Sequence, residues 1–197
     1  AVFKELYDWT VNPPTHRAVS LSGARQVGKT TLLFQIIQKM LAVGVPASNI
    51  LYITMDHPIL KLAGIDRVLQ AWRELESSSE GTEYIFIDEI QTYPHLLTLL
   101  KFLEQDRKYT YVASGSLLGV ALSETTSIPM GSIRKIRMFP LDFEEFLYAN
   151  GMNETVINFM KEKFLKQIPL DESMHNKIMD MFKKYLLVGG LPQVVNE

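Results

Sequence analysis

The chain has 197 residues, 47% of them hydrophobic, with 20 lysines and arginines against 22 aspartates and glutamates for a net charge of -2. That length suits one ordinary globular core with a small appendage and excludes two full α/β domains. Mixed charge gives no global basic field pointing to nucleic acid, and the lack of cysteine excludes disulfide scaffolds, thiolate zinc sites and thiol nucleophiles.

No apolar run approaches the ~18 residues of a membrane span, so no bilayer segment is expected. The absence of cysteine fits a reducing compartment, and the expected location is cytoplasmic. The chain starts at Ala1 without methionine and closes on Gly189-Gly190-Leu191-Pro192 and an apolar start, which reads as a fragment of a longer protein.

In chain order, Phe3, Leu6 and Tyr7 predict a short helix ending at Asn12-Pro13-Pro14, and Ala18 to Leu21 an apolar strand running into Gly23. Leu32, Leu33, Ile36, Ile37 and Met40 recur at helical spacing from Gly28 to about Leu41, before the stop signal Gly44-Val45-Pro46. Ile50 to Met55 reads as a second strand. Ile65, Val68, Leu69, Trp72 and Leu75 form one helix face, followed by a polar loop from Ser77 to Gly81. Tyr84 to Ile87 is a third strand, Pro94 opens a helix carrying Leu96, Leu97, Leu100 and Leu103, and Tyr109 to Ala113 is a fourth strand ending at Ser114-Gly115-Ser116. The polar stretch Ser123 to Gly131 breaks the pattern, Ile133 to Phe139 supplies a fifth strand, and Asp142 to Glu145 is a capping box opening a helix. Val156, Met160 and Phe164, then Met174, Ile178, Met181, Phe182 and Tyr185, are helical stripes read as core.

Strands alternating with helices predict an α/β fold with a mainly parallel sheet of about five strands, helices on both faces and ligands at the carboxyl ends of the strands. The expected division is an α/β core over residues 1–140, with a short helix at 1–12, and a helical lid or the start of a further domain over 141–197.

The chemistry concentrates in two motifs. Residues 23 to 30 read GARQVGKT, the G-x-x-x-x-G-K-[ST] spacing of a P-loop. The glycines let the backbone curl so that successive N–H groups face phosphates, and the following helix presents its positive end. Gly23, Ala24, Arg25, Gln26, Val27, Gly28, Lys29, Thr30 and Thr31 are therefore the expected ATP contacts, with Lys29 on the β and γ oxygens and Thr30 on magnesium. The second motif is the apolar strand Tyr84 to Ile87 ending in Asp88 and Glu89. Carboxylates at the end of a buried strand cost stability unless they meet a cation or a reacting water. Asp88 suits the magnesium shell, and Glu89 suits the group that orients and polarises the attacking water.

The segments GARQVGKTTLL, YIFIDEIQ, ASGS, MGSIRKIRMFPLDFEEFL and YLLVGGLPQVV together resemble the AAA-related ATPases of bacteria and archaea that carry a C-terminal domain of unknown function. The resemblance covers nearly the whole chain. It implies an extra strand between the two Walker strands, and in sequence Ile50 to Met55 falls between Lys29 and Asp88. It also puts Ser114 or Ser116 at a polar sensor position near the γ-phosphate, although either serine equally suits a helix cap. Gln91 is either a polar contact near the phosphate or a helix-entry side chain. Many members have Gly-Arg where this chain has Gly131-Ser132, so the charge such an arginine would bring must come from elsewhere. Arg134 and Arg137 are nearby substitutes, against a reading as edge-strand charges that block pairing. Arg25 is read as a solvated side chain, and the histidines at 16, 57, 95 and 175 show no ligand spacing.

The leading expectation is an ATP hydrolase that drives a conformational cycle and acts on an unidentified protein client. A slow nucleotide-gated switch needs the same binding motif. A nucleic-acid motor rests only on the short basic stretch Arg134-Lys135-Arg137. A GTPase is disfavoured because no Asn-Lys-x-Asp motif occurs. A homo-oligomer, in which a neighbouring subunit completes the site, is one assembly the resemblance implies. A core lacking the arginine is expected to hydrolyse ATP slowly.

Overall fold

The structure is a computed structural model that describes residues 2–13, 18–75, 81–92, 109–116 and 133–195. The chain divides into two compact units, Ala1–Met138 and Phe139–Glu197. The helix expected after Pro94, the polar stretch Ser123 to Gly131, the Gly131-Ser132 pair, most of the Ser77 to Gly81 loop, and His16 and His95 lie outside the described residues.

In the first unit, β1 (Ala18–Gly23), β2 (Ile50–Thr54), β3 (Glu83–Asp88), β4 (Tyr109–Gly115) and β5 (Arg134–Met138) form one sheet. Every pairing is parallel, in the order β2-β3-β4-β1-β5. Every residue of β3 and β4 is buried, as expected of central strands covered on both faces. The two-residue period of a strand divides β3 between two cores. Tyr84 and Phe86 pack with Leu6 and Trp9 of α1 (Val2–Val11) and with Leu32, Leu33, Ile36 and Met40 of α2 (Lys29–Ala42). On the opposite face, Ile85 and Ile87 pack with Ile65, Leu69 and Trp72 of α4 (Ile65–Leu75). The sheet and helices are those of a P-loop α/β fold.

Two sequence readings of this unit need revision. A strand does lie between β1 and β3, as the resemblance implies, but it is β4, and the Ile50 to Met55 strand, which intervenes in sequence, lies at the sheet edge as β2. Crossover connections carry the chain past neighbouring strands, so order in sequence does not give order in space. This arrangement places the end of β4 between the ends of β1 and β3. Second, a short helix, α3 (Pro58–Ala63), precedes α4 and has no counterpart in the predicted elements. Pro58 opens it, and Gly64, at φ 76, divides it from α4. A single apolar stripe starting at Ile65 therefore misses it.

In the second unit, α5 (Phe143–Ala149) begins with the expected capping box between Asp142 and Glu145. Its Phe143 packs against Phe182 and Tyr185 of α7 (Glu172–Val188), with ring centroids 5.1 and 5.6 Å apart. Tyr185 donates to the Leu141 carbonyl at 3.1 Å, and the Leu141 amide donates to the Gly190 carbonyl at 2.7 Å just before α8 (Pro192–Val195). The stripes of α7 and of α6 (Glu154–Leu165) were expected as core. Instead, α7 buries no residue and α6 buries only Ile157, while Phe164 is 83% exposed. A unit of so few helices has too little interior to enclose every stripe. Among the described residues no helix is long and apolar enough to cross a membrane.

Candidate nucleotide site

The site grows from the carboxyl ends of three neighbouring strands. The register aligns Leu21 of β1 with Ser114 of β4, and Ile87 of β3 with Ala113. Gly23, Asp88 and the Ser114–Ser116 segment therefore share one edge of the sheet, where parallel α/β folds bind ligands.

Gly23 is required by packing. A Cβ there would sit 2.4 Å from the Met138 carbonyl of β5, closer than side-chain atoms tolerate. The loop then turns through left-handed backbone at Gln26, φ 64, and Gly28, φ 93. Val27 is fully buried and anchors the loop, while Ala24, Arg25 and Gln26 are exposed. Gly28 gives α2 no side-chain cap, and no acidic residue occupies the first turn. The N–H groups and positive dipole end there suit an anion.

Lys29 is buried, with its ammonium donating to the carbonyls of Gly23 at 3.2 Å and Ala24 at 2.7 Å. Burial pulls its pKa below the usual 10.5, and the nearby Glu89 and Asp88 carboxylates oppose that shift. Thr30 faces the site, whereas the Thr31 side chain is exposed.

Asp88 is the hub. One carboxylate oxygen, Oδ2, accepts from Thr30 Oγ1 at 2.6 Å and from the Tyr52 hydroxyl at 3.0 Å. The other, Oδ1, accepts from Ser114 Oγ and from the Glu89 amide, the latter at 3.1 Å. Four donors from four segments satisfy a carboxylate that is only 2% exposed. Of the two serines, Ser114 meets Asp88 through its hydroxyl. Ser116 instead donates its backbone N–H to Gln91 Oε1 at 3.0 Å. Glu89 is half-buried at φ 53 and accepts through Oε2 from Gln91 Nε2. A non-glycine residue held in left-handed backbone, as Glu89 is here, is uncommon and clusters at functional sites.

Arg134 is not brought to this cluster. It pairs with Val19 at the amino end of β1, whereas Gly23 pairs with Met138, four residues further on. At about 3.3 Å per residue it lies roughly 13 Å back along the strand. Its guanidinium is exposed and binds Glu5 of α1 at 2.8 Å. Arg137, opposite Ser22, is closer to the loop and is exposed.

Tyr52 is the residue that the sequence reading missed. Its signal lies in the pairing of Tyr52 with Phe86 and of Thr54 with Asp88, which makes it a diagonal same-face neighbour of Asp88. The ring packs on Phe34 with centroids 4.7 Å apart. Burial and the Asp88 charge raise its pKa, which keeps the phenol a donor. Tyr52→Phe is expected to cost about 1.5–3 kcal/mol, the range for a hydrogen bond to a charged group. Urea denaturation of the two proteins checks this; an unchanged midpoint would contradict it.

The donor set also suits magnesium. Among the described residues no three His, Asp or Glu side chains gather as a metal cage. Thr30 and Asp88 would supply two oxygens, which fits a cation that takes few protein ligands and completes its octahedron with phosphates and water.

Residues 15–147 match a family model described as AAA domain. Among curated proteins, the uncharacterized protein MJ1637 of Methanocaldococcus jannaschii is 27% identical over 201 residues, covering 97% of this chain and 41% of its own length. A second relative, from Haemophilus influenzae, is 27% identical over 178 residues, or 89% of this chain and 39% of its own length. The chain thus spans about two fifths of the length of the curated relatives it matches. Among solved structures, the Walker-type ATPase PABY2304 of Pyrococcus abyssi aligns with a TM-score of 0.55 at 14% identity, over 98% of this chain and 64% of that one. At such low identity the structural likeness establishes the fold alone. Because the family model covers 15–147 of the 197 residues, the chain belongs to the AAA domain family and is an AAA-related P-loop protein.

Proposed function

We propose that this chain binds Mg-ATP in the loop Gly23 to Thr30 and hydrolyses the bond between the β and γ phosphates, using the cycle to move a protein client. The observation that most supports this reading is the convergence of Thr30, Ser114, Tyr52 and the Glu89 amide on Asp88 beside the buried Lys29. In it, Lys29 gives up its carbonyl partners for the β and γ oxygens, and the loop amides with the uncapped end of α2 hold the remaining phosphate charge. Thr30 and Asp88 would hold magnesium, which would supply charge neutralisation to the phosphates. Glu89 orients a water and takes its proton as the water attacks phosphorus.

A second reading, a switch that retains nucleotide and turns over slowly, is favoured by one observation. Arg134 is occupied by Glu5 at the far end of β5. An arginine at the γ-phosphate is worth about 10³- to 10⁵-fold in rate, so a site without one is slow. A neighbouring subunit of a homo-oligomer is a natural source of that charge. Nucleic acid as a partner rests on Arg134, Lys135 and Arg137, which are exposed on an edge strand and equally serve to block edge pairing.

The test is phosphate release from ATP with magnesium and with a chelator. The expected result is slow release above the blank that the chelator abolishes. Release that persists without the metal would contradict the proposal.

A further inference from the structure

A glutamate acts on a water only when its carboxylate is held in one direction, and a side chain with three rotatable bonds on a half-exposed turn does not hold itself. Glu89 sits on such a turn. We propose that Gln91 is the positioning residue that sets the orientation of the Glu89 carboxylate, an inference that rests on the reading of Glu89 given above.

Gln91 bridges two strand ends. Its Oε1 accepts from the Ser116 backbone N–H at 3.0 Å, and its Nε2 donates to Glu89 Oε2. The amide can point only one way. A backbone N–H is a donor and a carboxylate an acceptor, so the oxygen must face Ser116 and the nitrogen must face Glu89.

Gln91 is itself fixed in a short 3₁₀ turn, Ile90–Thr92. Ile90 is fully buried, and the Thr92 hydroxyl is 3.1 Å from the Met55 carbonyl and 2.9 Å from the Glu89 carbonyl. The carboxylate is therefore referenced to the end of β4, the strand whose Ser114 touches Asp88. Asp88 and Glu89 are thus tied to the same strand end, Asp88 directly and Glu89 through Gln91.

Two substitutions separate the contacts. Gln91→Glu keeps an acceptor for Ser116 but presents a carboxylate to Glu89 in place of a donor. Gln91→Met keeps the bulk and loses both contacts. The experiment measures ATP affinity and single-turnover cleavage for the wild type, both Gln91 variants, Glu89→Gln, and the double variant Glu89→Gln with Gln91→Met.

Both Gln91 variants are expected to cleave about 10- to 100-fold more slowly, with ATP affinity within about twofold of wild type. Adding Gln91→Met to Glu89→Gln should cost nothing further, because the glutamine acts only through the glutamate. A wild-type rate in both Gln91 variants would overturn the proposal. So would a full further loss in the Glu89→Gln background, or a loss of ATP affinity in both variants, which would mark Gln91 as part of the scaffold. A wild-type rate in Glu89→Gln alone is a different result, since it removes the role of Glu89 that Gln91 is proposed to serve.

Discussion

Lys29→Ala is expected to abolish measurable ATP binding while leaving the domain folded. The ammonium is buried against two backbone carbonyls, and its proton is held less tightly than in water because burial disfavours the charge. A phosphate arriving in the loop replaces weak neutral acceptors with anionic ones. Two charge-assisted hydrogen bonds at about 1.5–3 kcal/mol each correspond to a loss of about 10²- to 10⁴-fold in affinity. The fold should tolerate the change. Removing the side chain removes its desolvation cost along with its contacts, and α2 keeps Leu32, Leu33, Ile36 and Met40 in the core. Calorimetric titration with ATP and magnesium, beside a thermal melt, checks both parts. Wild-type affinity in the variant would show that nucleotide is held elsewhere.

Much of the sheet was legible because its central strands are buried on both faces and so carry unbroken apolar runs, as Tyr84 to Ile87 does. The P-loop was legible for another reason: its glycines answer backbone geometry and a close approach that other residues cannot satisfy, as Gly23 shows against Met138. What could not be read was lateral. Whether β2 or β4 lies beside β1 depends on crossovers, and Tyr52 becomes a partner of Asp88 only once β2 is paired with β3. Arg134 lies away from the Asp88 end of the sheet for the same kind of reason. Nearness to the loop in a list of residues says nothing about which end of a parallel strand a side chain occupies. The stripe of α7, which is only partly buried, shows the limit of periodicity, since an apolar face reports that a helix has something to bury and not how completely it is covered.

Glu89→Gln is the second large expected effect. The substitution keeps the size and the polar end of the side chain but cannot accept a proton from water, so binding should persist while cleavage falls by about 10²- to 10⁴-fold, the usual worth of a general base. The groups proposed to hold the phosphates and magnesium are unchanged: Lys29, Thr30 and Asp88 keep their places, and the Glu89 amide still donates to Asp88. A fall in cleavage without a fall in affinity is therefore the signature of a group that serves the attacking water alone.

ATP hydrolysis with Glu89 as the base is tested most directly by a single turnover of labelled ATP by wild type and Glu89→Gln, with protein in excess and both saturated with magnesium. Wild type is expected to convert its bound ATP to ADP and phosphate while the variant holds the nucleotide intact. Equal cleavage rates in the two proteins would contradict it.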